Sequence, residues 1–171
     1  MATTDAPRLV LATAGLWLGW SLLVGTLANR LPLAWLCDPA DLTGGGRRTP
    51  TPHSYERWLA IRRWKPWIPD AGNALPGGIR KASLARRDPA ALQRLIGETR
   101  RAELVHWSLW PAWLLSALWL PPAGVALNLL FATAFNLPCL LLQRYTRRRL
   151  QRTLVRFADH PRRQRSADRA G

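Results

Sequence analysis

Apolar side chains gather in two stretches of this chain, Leu9–Leu27 and Val105–Leu142, and arginine dominates the segments between and after them. Within the first stretch Thr13, Ser21 and Thr26 are the hydroxyl-bearing residues, with Trp17 and Trp20 set among the aliphatic ones. At about 1.5 Å per residue a helix over this run reaches roughly 30 Å, the thickness of bilayer hydrocarbon. A transmembrane helix is predicted there. The run exceeds a secretory h-region and leads into Asn29-Arg30-Leu31-Pro32, not a small-residue cleavage site, so it is expected to stay as an anchor.

Val105–Leu142 is too long for one span and is interrupted by Pro121-Pro122, which predicts a helical hairpin. Its first arm is short, about 16 residues, with Pro111 inside, and a tilted or kinked helix follows from that. Ala123–Leu142 is a better span. The expected fold class is therefore an all-α integral membrane protein with about three transmembrane helices. Its parts are an N-terminal span and flank (1–36), a basic, Trp-rich loop with a helix from about residue 89 (37–104), a hairpin (105–142) and a basic tail (143–171). Residues beyond His160 are expected to be disordered.

The formal charge of +15 sharpens this reading, because its distribution sets orientation. Arg8 is the lone basic side chain before the first span, and the Pro121-Pro122 turn carries none. Positive charge is retained on the cytoplasmic side, so the loop 37–104 and the C-terminus are predicted cytoplasmic in a multi-pass protein of the cell membrane. Between Tyr55 and Trp67, Trp58, Trp64 and Trp67 alternate with Arg57, Arg62, Arg63 and Lys65, a mixture suited to lipid headgroups. A chain committed to the bilayer makes nucleic acid a poor partner. Asp41–Pro52 and Pro69–Gly72 read as irregular and turn segments. Cys37 and Cys139 have no second cysteine at metal or redox spacing, so neither a disulfide framework nor a metal site is expected.

Asp88-Pro89 is a good helix start, and the helix it opens runs without a breaker into the second apolar stretch. Leu92, Leu95, Ile96 and Thr99 share one face, and the same period puts Glu103 and His106 on it; Arg94 and Arg101 fall opposite. Ionisable groups on a face otherwise buried invite a functional explanation. A plainer account pairs Glu103 with Arg100 or a tail arginine and leaves His106 marking the interface. A metal account is weaker, since one Glu-x-x-His copy falls short of the two used in di-iron bundles. At the far end of the hairpin, Asn136 and Gln143 can donate hydrogen bonds, Arg144 can hold an anion, and Pro138 can loosen the helix. Leu150, Leu154 and Phe157 form the apolar side of a basic helix that is solvated or bound to headgroups.

Three blocks resemble one known family: Arg62-Arg63-Trp64-Lys65 to Asp70; Glu98-Thr99-Arg100-Arg101-Ala102-Glu103-Leu104-Val105-His106-Trp107; and Asn136-Leu137-Pro138 followed by Gln143-Arg144-Tyr145 to Leu150. Their order and spacing look like the glycosyl-4,4'-diaponeurosporenoate acyltransferases of staphyloxanthin-type carotenoid synthesis, over roughly Tyr55 to Leu154. Thr146 and Arg148 stand where that family's pattern has Asn and Pro. The resemblance implies transfer of a fatty acyl group to a sugar hydroxyl of a glycosylated carotenoid or related lipid. It implies no resident cofactor, with acyl-CoA or another activated fatty acid as co-substrate, and the bilayer, the acyl donor and the lipid acceptor as partners.

Such a reaction needs a base for the hydroxyl and donors for the oxyanion, and general-base assistance is typically worth about 10² to 10⁴ in rate. His106 is the expected base, Glu103 or Glu98 its orienting carboxylate, and Asn136 or Arg144 the oxyanion support. Arg100, Trp64, Lys65 and Asp70 complete the expected substrate-binding set, with the basic loop holding donor phosphates. Neither Gly-x-Ser-x-Gly nor His-x4-Asp occurs in the sequence, which favours direct transfer over a serine acyl-enzyme. Cys139 is an alternative nucleophile. A non-catalytic scaffold or lipid-binding protein of a carotenoid pathway, and a metal-dependent membrane enzyme, are the competing functional classes.

Overall fold

The computed structural model describes residues 5–37, 52–68 and 89–167, with the backbone alone over 158–167. Asp70, Asp88 and the predicted turns at Asp41–Thr51 and Pro69–Gly72 lie outside the described residues. Every described element is helical. In order these are α1 (Ala6–Arg30), α2 (Leu33–Leu36), α3 (Pro52–Leu59), α4 (Ile61–Trp64), a 3₁₀ helix (Lys65–Trp67), α5 (Pro89–Leu109), a second 3₁₀ helix (Trp110–Leu118) and α6 (Pro122–Ala167). Two helices are long and apolar enough to cross a membrane: α1, and α6 over Pro122–Phe157. On α1, Val10, Leu11, Leu18 and Leu22 are 64–71% exposed, an outward apolar surface that water would penalise.

The helices group into two compact units, Met1–Leu31 with Glu103–Leu141, and Pro32–Ala102 with Leu142–Gly171. In the first unit, tryptophan side chains fasten the helices. Trp17 Nε1 donates to Asn128 Oδ1 at 2.9 Å, Trp20 Nε1 to the Ser108 carbonyl at 3.0 Å, Trp119 Nε1 to Thr13 Oγ1 at 3.2 Å and Trp110 Nε1 to Thr133 Oγ1 at 3.2 Å. Packing and such hydrogen bonds hold the helices of this unit together. The rings pack as well: Trp17 meets Phe131 edge-on, with centroids 5.1 Å apart.

The short arm containing Pro111 leaves α-geometry at Trp110 and continues as nine residues of 3₁₀ helix. Pro111 has no N–H to offer the Trp107 carbonyl, so the i→i−4 ladder fails there. The chain reverses where the Trp119 and Leu120 amides both donate to the Ser116 carbonyl, and α6 starts at Pro122. A Cβ on Gly124 would lie 3.2 Å from Leu120 Cβ, so the return is close-packed because that residue is glycine.

In the second unit Leu92 and Ile96 of α5 pack with Leu154 of α6, and Leu150 lies against them. Burial of each such side chain stabilises by about 1.5–3 kcal/mol. The apolar side of the basic helix, expected to face water or headgroups, thus meets protein at Leu150 and Leu154; Phe157 is 37% exposed. Helix also replaces the disorder expected beyond His160, continuing to Ala167. Arg162, Arg163, Gln164, Arg165 and Ala167 are good helix formers, and extending an existing helix avoids the cost of nucleation, which offsets the penalty of Pro161. Gly97 of α5 lets Cys37 and Leu33 approach: an added Cβ would lie 3.0 Å from Cys37 Sγ. Ala60, between α3 and α4, has φ 45°, a left-handed conformation unusual for a residue with a Cβ.

Candidate active site

On α6 the residues Ala132, Asn136 and Leu140 recur every four positions and are all buried. This spacing puts an amide in the middle of an apolar stripe. Asn136 is 4% exposed, and its Nδ2 donates to the Ala132 carbonyl at 2.9 Å. A carbonyl only accepts, so Nδ2 faces Ala132 and Oδ1 is turned the other way. Oδ1 lies 3.1 Å from Nδ1 of His106. Oδ1 also only accepts, so Nδ1 carries the proton and the lone pair of the neutral ring is on Nε2. One backbone carbonyl therefore fixes the tautomer of the histidine through the asparagine.

Glu103 is partly buried one turn before His106 on α5, and both belong to the first unit. Asn136, expected among the substrate-binding residues, has His106 as its side-chain partner. Cys139 belongs to the same unit and is partly buried. Pro138 sits inside α6 without ending it. An open apolar groove of about 500 Å³ in this unit is lined by Trp113, Ala117, Leu120, Pro122, Val125, Ala126 and Leu129, on the two arms of the hairpin.

The other expected residues belong to the second unit. Glu98 accepts from Arg101 Nη1 with both oxygens, at 3.1 and 3.2 Å. Trp64 Nε1 donates to the Leu59 carbonyl at 2.8 Å, an orphan acceptor at the end of α3. Arg100 and Arg144 are partly buried. Lys65 lies over the ring of Tyr145, with Nζ 5.9 Å from its centroid.

Tyr145 centres a cluster that the sequence reading did not assemble. It is 1% exposed, and its hydroxyl donates to Glu56 Oε1 at 2.7 Å. The Arg149 guanidinium is 5.7 Å from the ring centroid, Tyr55 packs at 6.4 Å, and Arg62 Nε lies 3.3 Å from Glu56 Oε1. The hydrogen bond from Tyr145, followed by the charges of Arg62 and Arg149, holds the Glu56 carboxyl below the usual carboxylate range. Arg62 is held more basic than usual, with Tyr145 the first cause and the Glu56 charge the second. One signal was available: Glu56 is the lone acid among the cations of Tyr55–Trp67.

The chain is all-helical over its described residues, two of its helices are long and apolar enough to cross a membrane, and a histidine is oriented between two helices. Residues 46–156 match the glycosyl-4,4'-diaponeurosporenoate acyltransferase family, and the chain belongs to that family. Relatives of that name from Staphylococcus aureus strains USA300, NCTC 8325 / PS 47 and Newman are each 30% identical to it over 101 residues, covering 58% of this chain. The match spans about 60% of the length of those relatives. No solved structure matches the chain.

Proposed function

We propose that this chain is a multi-pass enzyme of the cell membrane that transfers a fatty acyl group to a sugar hydroxyl of a glycosylated carotenoid or related lipid. The observation that carries this reading is the His106–Asn136 pair, with the ring proton on Nδ1 and the basic nitrogen at Nε2. Nε2 takes the proton of the acceptor hydroxyl as its oxygen attacks the acyl carbonyl, and the imidazolium returns that proton to the leaving group. Asn136 orients the ring. Glu103, one turn from His106 and in the same unit, offsets the imidazolium charge. Activated fatty acid, such as acyl-CoA, arrives from the aqueous side, and the acceptor's apolar chain stays in the bilayer.

Three spans support such a meeting of substrates. The arm from Val105 to Leu118 is short for a span in α-geometry, but 3₁₀ helix rises about 2.0 Å per residue against 1.5 Å, which brings it to roughly 25 Å. The loop 37–104 and the C-terminus are then cytoplasmic, as the arginine bias requires. The test is mass spectrometry of pigments from a host that makes the glycosylated carotenoid and expresses this chain. An added fatty acyl mass is the expected result; unchanged pigment with inserted, folded protein would overturn the proposal.

A further inference from the structure

We infer that Arg62, Lys65 and Arg149, gathered around Tyr145, form the cradle for the phosphate of the acyl donor, and that Tyr145 is its positioning residue. This deepens the acyltransferase reading and rests on it. The three cations come from α4, the first 3₁₀ helix and α6, and all converge on one buried phenol. Lys65 and Arg149 lie within cation–π range of its ring at 5.9 and 5.7 Å, and its hydroxyl holds the Glu56 carboxylate that pairs with Arg62.

Exposed lysine and arginine side chains ordinarily lose rotamer freedom when they capture an anion, which weakens binding. Here a ring fixed by packing and by the hydrogen bond to Glu56 holds them in advance. Arg62 meets Glu56 through Nε while its side chain is 76% exposed, so its guanidinium is on the surface. Charge-assisted hydrogen bonds from arginine and lysine suit a phosphate, and an arginine fork suits it bidentately.

The phosphate has two sources: a soluble thioester donor of the coenzyme A type, or a phospholipid headgroup. The test uses the full chain in nanodiscs of zwitterionic lipid, titrated with coenzyme A in one arm and given phosphatidylglycerol in the other, with binding measured directly. Lys65→Gln and Arg149→Gln, both at exposed positions, are each expected to weaken binding about tenfold, with Lys65→Arg close to wild type. Tyr145→Phe keeps the ring but loses the link to Glu56 and is expected to weaken binding several-fold.

Variant-sensitive binding of coenzyme A supports the cradle as the donor's site, and variant-sensitive binding of phosphatidylglycerol alone overturns that assignment in favour of a lipid headgroup. Equal binding of both probes by wild type and variants overturns the cradle. If the wild type forms acylated pigment while the variants keep its donor KM, the cradle fails and the function stands. Variant-sensitive coenzyme A binding by a wild type that forms no acylated pigment has the reverse meaning.

Discussion

Thirty residues separate His106 from Asn136, yet Nδ1 of one lies 3.1 Å from Oδ1 of the other, and Asn136 is anchored through its second polar atom to the Ala132 carbonyl. Rotation of the amide would set two acceptors against each other at Ala132, so the pair has one stable arrangement. The imidazole is therefore held in the tautomer that a base acting through Nε2 requires.

His106→Ala is expected to abolish acylated product while the protein still inserts, and Asn136→Ala to lower kcat by about 10²-fold as the ring loses its orientation. Asn136→Asp keeps an acceptor for Nδ1 but sets a second acceptor against the Ala132 carbonyl, so it is expected to fall short of wild type as well. Pigment turnover by the purified variants checks all three. Near-normal turnover in His106→Ala would remove the histidine from the mechanism.

The Glu56–Tyr145 contact sets an acid limit on stability. Because the Glu56 carboxyl is depressed in the folded chain, its contribution is fully present above the unfolded carboxylate value of about 4.3 and is lost as pH falls through the lower folded value. Thermal unfolding against pH is expected to show Glu56→Gln less stable than wild type by a steady margin above the unfolded carboxylate value of about 4.3, and the two converging as pH falls below it. A constant gap across the range would contradict this.

Trp17 and Asn128 join α1 to α6 inside the first unit at 2.9 Å. Trp17→Phe and Asn128→Leu are each expected to destabilise, and a double-mutant cycle in detergent or bicelles should return a coupling of about 0.6–2 kcal/mol. No coupling would mean that packing, including Trp17 against Phe131, holds α1 in place unaided.

At Gly97 a side chain would push on Cys37 Sγ and on Leu33. Gly97→Val is expected to cost about 1–3 kcal/mol through overpacking, and Cys37→Ala in the same chain should recover part of it. Thermal midpoints of the single and double variants decide the matter.

The left-handed Ala60 supplies a stabilising counterpart. Ala60→Gly removes a steric penalty of about 1 kcal/mol or slightly more, partly offset by the greater freedom of glycine in the unfolded chain. A small rise in thermal midpoint is the expected result.

Helix was legible in the sequence wherever a pattern is local. The apolar run of α1, the proline at the start of α5 and the Pro121-Pro122 break are written in consecutive residues, because bilayer length, first-turn geometry and the missing proline N–H act over a few positions. The charge bias and the face shared by Leu92, Ile96, Thr99, Glu103 and His106 were legible for the same reason. Tertiary structure alone decided the partners. The links of Asn136 to His106, Tyr145 to Glu56, and Trp17 to Asn128 join residues 30, 89 and 111 positions apart. No periodicity encodes them. The sequence by itself determined that a histidine and an asparagine would sit on helix faces shared with apolar residues. The packing of one helix on another determined which nitrogen of that histidine carries the proton, because only the neighbouring helix supplies the acceptor.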